Sequence, residues 1–172
     1  MGGNKELEQC PAELKLDFTK LNKVAAAGCD VVPVVVQDVR TGDVLIVAYA
    51  NQAALDESLA QKVCCLWSTS RNEMWVKGKT SGDVLELVDI RVNCEQNSLL
   101  YLVRPVRKGA CHTKDAAGDT RVSCYYRKLE QGKLTEATLP EYRTNSARFA
   151  GLLSLGAAVT ALVAIVAVLK SR

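Results

Sequence analysis

The sequence predicts an α+β fold: a small, largely antiparallel sheet with two helices, plus one C-terminal transmembrane helix. Three observations carry that prediction. Short β-branched runs recur between turn-forming tetrapeptides such as Arg40-Thr41-Gly42-Asp43 and Ser70-Arg71-Asn72-Glu73, the pattern of hairpins. Only two stretches ahead of residue 149 show helical spacing of apolar residues. Residues 149–169 form a run of 21 residues without a charge, long enough to span a bilayer core as a helix.

The elements follow in order. Residues 1–10 are polar and are expected to be disordered. Pro11 to Ala27 reads as a helix with Leu14, Phe18 and Leu21 on one face, ended by Gly28. Val31 to Gln37 and Val44 to Tyr49 read as a strand pair. Asn51 is placed to cap a helix from Gln52 to Gln61, with Ala54, Leu55 and Leu59 inward. Val63 to Trp67 and Met74 to Lys77 are short strands, and Gly78 to Gly82 is a loop. Asp83 to Val92 and Ser98 to Arg104 are two longer strands. Gly109 to Val122 reads as loop and Ser123 to Leu129 as a last strand. The domain therefore covers residues 11–130, with a polar linker over 131–148 and the anchor over 149–169.

Composition narrows the function. Of 172 residues, 22 are Lys or Arg and 19 are Asp or Glu, a net charge of +3 that is too small for a nucleic-acid binder. Aromatic residues make up 5%, which argues against a base-stacking platform. A single His excludes His-rich metal sites. Seven Cys is an odd number, and no apolar leader opens the chain, so the thiols are read as reduced.

Three cysteines, Cys94, Cys111 and Cys124, lie in polar surroundings at predicted strand ends or loops. Three thiolates and a water make an open zinc site. The spacing alone leaves a metal site and unligated thiols both open, since no CxxC is present. Cys29, Cys64 and Cys65 adjoin or lie in apolar strands and read as packing residues. His112 adjoins Cys111, so it suits a general acid or base, or a hydrogen-bonding support, better than a second ligand; a loop histidine without a role stays open. Two segments, Trp67-Ser68-Thr69-Ser70-Arg71 and Trp75 to Gly82, concentrate hydroxyls, cations and glycines. Such groups suit phosphate, although a polar hairpin turn has the same composition.

Together the strings are more specific. The run from Val36 to Asn51, then WSTSR, MWVKGKTSG, NCEQNSLLYLV, GACHT and SCYYR, in that order, resemble the phosphoribosyl-AMP cyclohydrolases over about residues 30–130. The resemblance implies hydrolytic opening of the purine ring of N1-(5-phosphoribosyl)-AMP in histidine biosynthesis. It implies a homodimer with a shared metal site, zinc on Cys94, Cys111 and Cys124, and His112 as the catalytic histidine. Trp67, Ser68, Ser70, Arg71, Trp75, Lys77, Thr80, Ser81 and Gly82 fall on strings expected to hold the nucleotide substrate's two phosphoribosyl arms. Zinc would lower the pKa of its water for attack at C6, and His112 would move protons.

Two features depart from that family, besides a loop from Cys111 to Cys124 that is longer than usual (Lys114 to Val122). Its Asp-Cys-Asp-x-Asp string, which holds Mg²⁺, is here Asn93-Cys94-Glu95-Gln96-Asn97. Oxygen donors persist at Asn93, Glu95 and Asn97, but only one carboxylate remains, so Mg²⁺ affinity is expected to fall. The uncharged tail is the other departure. It predicts a single-pass C-terminal membrane anchor with the domain facing the cytosol, in either the mitochondrial outer membrane or the endoplasmic reticulum. An alternative reading is a catalytically impaired family member serving as a membrane-anchored nucleotide-binding or scaffold subunit. Action on a different N-ribosyl purine is a third.

Overall fold

The computed structural model describes Leu14 and residues 16–137. In chain order its elements are α1 (Lys20–Ala26), β1 (Val32–Asp38), β2 (Val44–Ala50), α2 (Gln52–Gln61), β3 (Cys65–Ser68), β4 (Glu73–Val76), β5 (Leu85–Val92), β6 (Leu99–Pro105), β7 (Arg127–Glu130) and β8 (Lys133–Glu136). Six strands form one sheet in the order β4-β3-β2-β1-β6-β5, and β7 pairs with β8 alone. Neighbours are antiparallel except β1 and β6, which run parallel with Val34 opposite Leu99.

The sheet curls because its far edge returns to the segment between α2 and β3. Lys62 ends α2 in the left-handed conformation (φ 56°). Its carbonyl accepts from Leu87 N at 2.8 Å, and Cys64 N donates to Leu85 O at 2.9 Å. Cys64 O in turn accepts from Lys77 N at 2.9 Å. The strand edge of β5 is thereby joined to the chain leading into β3 and to the chain leaving β4. Inside the curl lie Val34, Val36, Leu45, Leu66, Leu85, Tyr101 and Val103, all fully buried. Burying one such aliphatic side chain stabilises by about 1.5–3 kcal/mol.

The helix α2 has the expected boundaries. Asn51 Oδ1 accepts from Ala54 N at 2.9 Å, satisfying one of the first-turn donors. Its buried line is Ala54 and Ser58, while Leu59, expected inward, is exposed. The reason is polar: Ser58 Oγ donates to Ala54 O at 2.7 Å and accepts from Cys65 N at 3.0 Å. That pair of bonds turns Ser58 toward the sheet and sends Leu59 outward.

Three other expectations are corrected. Among the described residues the helix expected over Pro11 to Ala27 runs only from Lys20 to Ala26, because Asp17 Oδ1 accepts from Thr19 N and Thr19 Oγ1 in a local turn ahead of it; residues 11–13 and 15 lie outside the described residues. None of its residues is buried, and Phe18 and Leu21 are 87% and 70% exposed. The last strand of the domain begins at Arg127, not Ser123, because Ser123 Oγ donates to Val44 O and accepts from Tyr125 N, which turns the chain. The polar stretch read as linker opens with β8.

The fold class is corrected in its membrane part. Among the described residues no helix is long and apolar enough to cross a membrane. Helices of seven and ten residues rise about 10 and 15 Å, against roughly 30 Å of hydrocarbon. The span expected over 149–169 lies outside the described residues, as do residues 1–10. The transmembrane helix, and the anchored localisation read from it, are not retained, since hydropathy alone had carried both.

Removing the Ser58 hydroxyl leaves the buried Cys65 N–H without its acceptor. Ser58→Ala is expected to destabilise the fold by about 1–3 kcal/mol, measured as a shifted urea midpoint with an unchanged slope.

Candidate active site

The site is built at the start of β2. Cys124 N donates to Leu45 O at 2.9 Å, which ties that cysteine to the strand. Cys111 N donates to Arg121 O at 3.0 Å, so the two ends of the long loop close on each other. The Cys111 and Cys124 side chains are hydrogen-bonded, and Thr113 adds its hydroxyl at 3.0 Å and its N–H at 3.4 Å to Cys111 Sγ. The bond from Cys124 lowers the Cys111 thiol from 9.0 to about 5, against the opposing effect of burial, with help from Thr113 and the charge of His112. Cys111 is therefore a thiolate at neutral pH.

Two clefts meet beside this pair. One, of about 580 Å³, is lined by Arg71, Glu73, Trp75, Lys77, Lys79, Thr80, Ser81, Glu57, His112 and Cys124, among others. The second, of about 440 Å³, is lined by Trp67, Ser68, Thr69, Ser70, Arg71, Trp75, Lys20 and His112 with part of β2. Ile46, Arg71, Trp75 and His112 belong to both. The two phosphate-suited strings thus serve two adjoining cavities, with the histidine at their junction.

Polar detail shapes each cleft. Arg71 Nε pairs with Glu73 Oε1 at 2.5 Å, and its backbone N–H is held by Ser68 Oγ at 3.3 Å. Lys77 is only 7% exposed, yet its ammonium makes no hydrogen bond or ion pair of its own among the described residues. Lys77 lines the first cleft, where its ammonium offers an anion a positive partner. The turn after it is tight: Gly82 N donates to Gly78 O at 2.8 Å. Gly78 has φ +85°, and a Cβ there would lie 2.2 Å from Asp83 backbone atoms, so only glycine fits.

Not every expected site residue joins this place. Gly82 closes the turn and lines neither cleft. Cys94 sits in the loop between β5 and β6, exposed. Gln96 of that loop lines a third cavity with Ala50 and Asn51, at the far end of β2 from Leu45. Five steps along the strand separate Ala50 from Leu45, about 17 Å, whereas ligands of one zinc lie about 2.3 Å from it. Accordingly, no group of three His, Cys, Asp or Glu suited to a metal is found among the described residues.

The Mg²⁺ donor set does not fit that ion. Asn93 Oδ1 accepts from Asn97 N at 2.9 Å and Ser98 N at 3.0 Å. Asn93 Nδ2 donates to Asn97 Oδ1 at 2.7 Å, and Asn97 Nδ2 donates to Glu95 Oε2 at 2.8 Å. The oxygens that carboxylates would offer a hard cation are taken up within the loop, with amide N–H groups interleaved between them.

Reasoning from sequence missed Glu57 and Lys20. Glu57 follows Ala54 by three residues, so the helical period placed it beside the buried line of α2. Nothing local marks Lys20, which reaches the second cleft through the tertiary fold.

Comparison with known proteins places the chain in a class of nucleotide-ring hydrolases. The family model for phosphoribosyl-AMP cyclohydrolase matches residues 46–126. The phosphoribosyl-AMP cyclohydrolase of Archaeoglobus fulgidus is 46% identical over 100 residues, covering 58% of this chain and 85% of the relative. That of Hyphomonas neptunium is 42% identical over 101 residues, covering 59% and 72%. That of Ruegeria pomeroyi is 39% identical over 130 residues, covering 76% and 95%. The chain belongs to the phosphoribosyl-AMP cyclohydrolase family. The family and the enzyme class expected from its strings are borne out.

Two outcomes follow from this geometry. In metal-free protein, the ultraviolet thiolate absorbance that Cys111→Ser abolishes should fade with a midpoint near pH 5, far below the ordinary 9.0. Because the folded-state value is the lower one, the associated stability is complete above pH 9.0 and is lost as pH falls through about 5. Separately, Mg²⁺ should leave the thermal midpoint of the parent unmoved and raise that of the triple variant Asn93→Asp, Glu95→Asp, Asn97→Asp. Equal shifts in both would show that the amide network still admits the ion.

Proposed function

We propose that this chain hydrolyses the N1–C6 bond of N1-(5-phosphoribosyl)-AMP, the cyclohydrolase step of histidine biosynthesis, as a zinc-dependent homodimer. The observation that carries the reading is the meeting of the WSTSR and KGKTSG clefts at Trp75 and His112, beside the Cys111–Cys124 pair. A purine bearing one phosphoribosyl arm on each side matches two anion-suited cavities joined at a central histidine. The family membership and the names of the relatives support the same substrate.

The residues divide the work. Lys77, Thr80 and Ser81 hold one phosphoribosyl arm, and Ser68, Ser70 and Arg71 the other. Trp75 at the junction, with Trp67 beside it, offers an aromatic face to the ring between the arms. His112, at the junction of the clefts, would deliver the proton that N1 takes up as the N1–C6 bond breaks. Cys111 and Cys124 of one copy, with Cys94 of a second, would hold zinc, since the strand length between them rules out one chain supplying all three. When bound, zinc supplies Lewis acidity to the attacking water. Mg²⁺ is not part of the proposal, because Asn93, Glu95 and Asn97 bond to one another.

The test uses the full-length chain. Ring-opening absorbance should show turnover of phosphoribosyl-AMP with about one zinc per chain, and His112→Asn should lower kcat by about 10²-fold or more. Co-expression of Cys94→Ser with Cys111→Ser should restore about a quarter of the activity, because half the dimers then carry one intact shared site. Zinc without turnover would remove the catalytic assignment. Failure of complementation alone would remove the shared site and leave the reaction.

A further inference from the structure

The turn from Gly78 to Gly82 is braced from behind by residues with no assigned role. Arg107, just beyond β6, donates from its Nη1 to Ser81 O at 3.3 Å. Its guanidinium also lies against Gly82, where a Cβ would come within 2.6 Å of Nη1 and 2.7 Å of Cζ. Gly82 has φ +79°, so the backbone conformation favours glycine there, and the absence of a Cβ leaves room for the guanidinium.

Carbonyls at both ends of the turn, and one just ahead of it, are engaged. Val76 O accepts from Lys79 N, Gly78 O from Gly82 N, and Ser81 O from Arg107. The backbone N–H groups of Thr80 and Ser81 have no acceptor among the described residues. Successive N–H groups left open on a tight turn form an anion-binding concavity. A guanidinium on the carbonyl side holds that orientation and adds positive potential behind it.

A second brace comes from the loop 113–121. That loop is ordered by its own bonds: Asp115 Oδ1 accepts from Ala117 N and Asp119 N, both at 2.9 Å, and Lys114 pairs with Thr120 across it. It delivers Thr120 Oγ1 to within 3.5 Å of Oδ2 of buried Asp83, the residue that follows the turn. The residue next to Thr120, Arg121, holds Cys111 N through its carbonyl.

We propose that Arg107 is a positioning residue: it holds the Thr80–Ser81–Gly82 turn open to a phosphate group, with Thr120 as a lesser support. The inference rests on the reading that this turn takes one phosphate-bearing arm of the substrate. Arg107 itself is exposed and is not assigned contact with the reacting atoms.

The full chain is tested in three forms, Arg107→Ala, Arg107→Lys and Thr120→Val. Arg107→Ala is expected to raise the KM for phosphoribosyl-AMP about fivefold, the size of an exposed charge-assisted contact, with kcat within twofold. Arg107→Lys, which retains charge without the planar contact to Gly82, should fall between Ala and the parent. Binding of AMP and of inorganic pyrophosphate, measured calorimetrically, should weaken in parallel. Those probes separate the two claims: if the parent lacks turnover, the substrate assignment fails while probe binding still tests the brace. Unchanged probe affinity in Arg107→Ala would overturn the proposal, as would equal losses in kcat and KM with a lowered melting point. Should Arg107→Ala not fold, the Lys and Val variants decide, and probe affinity equal to the parent in both would overturn it.

Discussion

The backbone bonds around residues 62–64 are the constraint on which the rest depends. They join the edge of β5 to the chain entering β3 and leaving β4. Without them the six strands would form an open sheet, with KGKTSG at one edge and the cysteine pair elsewhere. With them, Lys77 is pinned through its own N–H to Cys64 O and enters the cleft beside His112. Cys64 pays for this position chemically: burial, its largest influence, pushes its thiol up to about 12. It is a packed, inert residue, whereas Cys111, equally hidden from water, is an anion through its neighbours.

That contrast shows how one side-chain type serves two ends. A thiol in apolar surroundings has nothing to favour its charge and stays protonated. A thiol that accepts bonds from a second thiol, a hydroxyl and a backbone N–H gains its charge cheaply. The amide network at Asn93 and Asn97 shows the converse for oxygen donors. Turning carboxylates into amides brings N–H groups into the cluster, so it closes on itself.

Much of this was legible in the sequence where the signal is local. Asn51 announced α2 because a capping side chain needs only its own first turn. The β1–β2 hairpin followed from the turn at Arg40 to Asp43, with Asp38 Oδ1 accepting from Arg40 N. The early helix start failed through a short-range bond at Asp17 that periodicity does not register. Leu59 failed because a single buried hydroxyl, Ser58, outweighed an apolar neighbour in setting the helix face. The transmembrane expectation rested on hydropathy over residues 149–169, which lie outside the described residues, and no described helix is long and apolar enough to cross a membrane.

The sequence by itself determined the residue types of the site and their family: thiols, one imidazole, two hydroxyl- and cation-rich strings, and a cyclohydrolase order of motifs. Those follow from chemistry carried by each residue alone. The tertiary structure decided which of them meet. It set two clefts on either side of His112 and paired Cys111 with Cys124. It also sent Cys94 to the far end of β2, and placed Arg107 behind Gly82 and Glu57 in the cleft. The physical reason is that strand pairing between β1 and β6, and closure at residues 62–64, join segments distant in the chain. Hydrogen bonds of that range leave no trace in local periodicity.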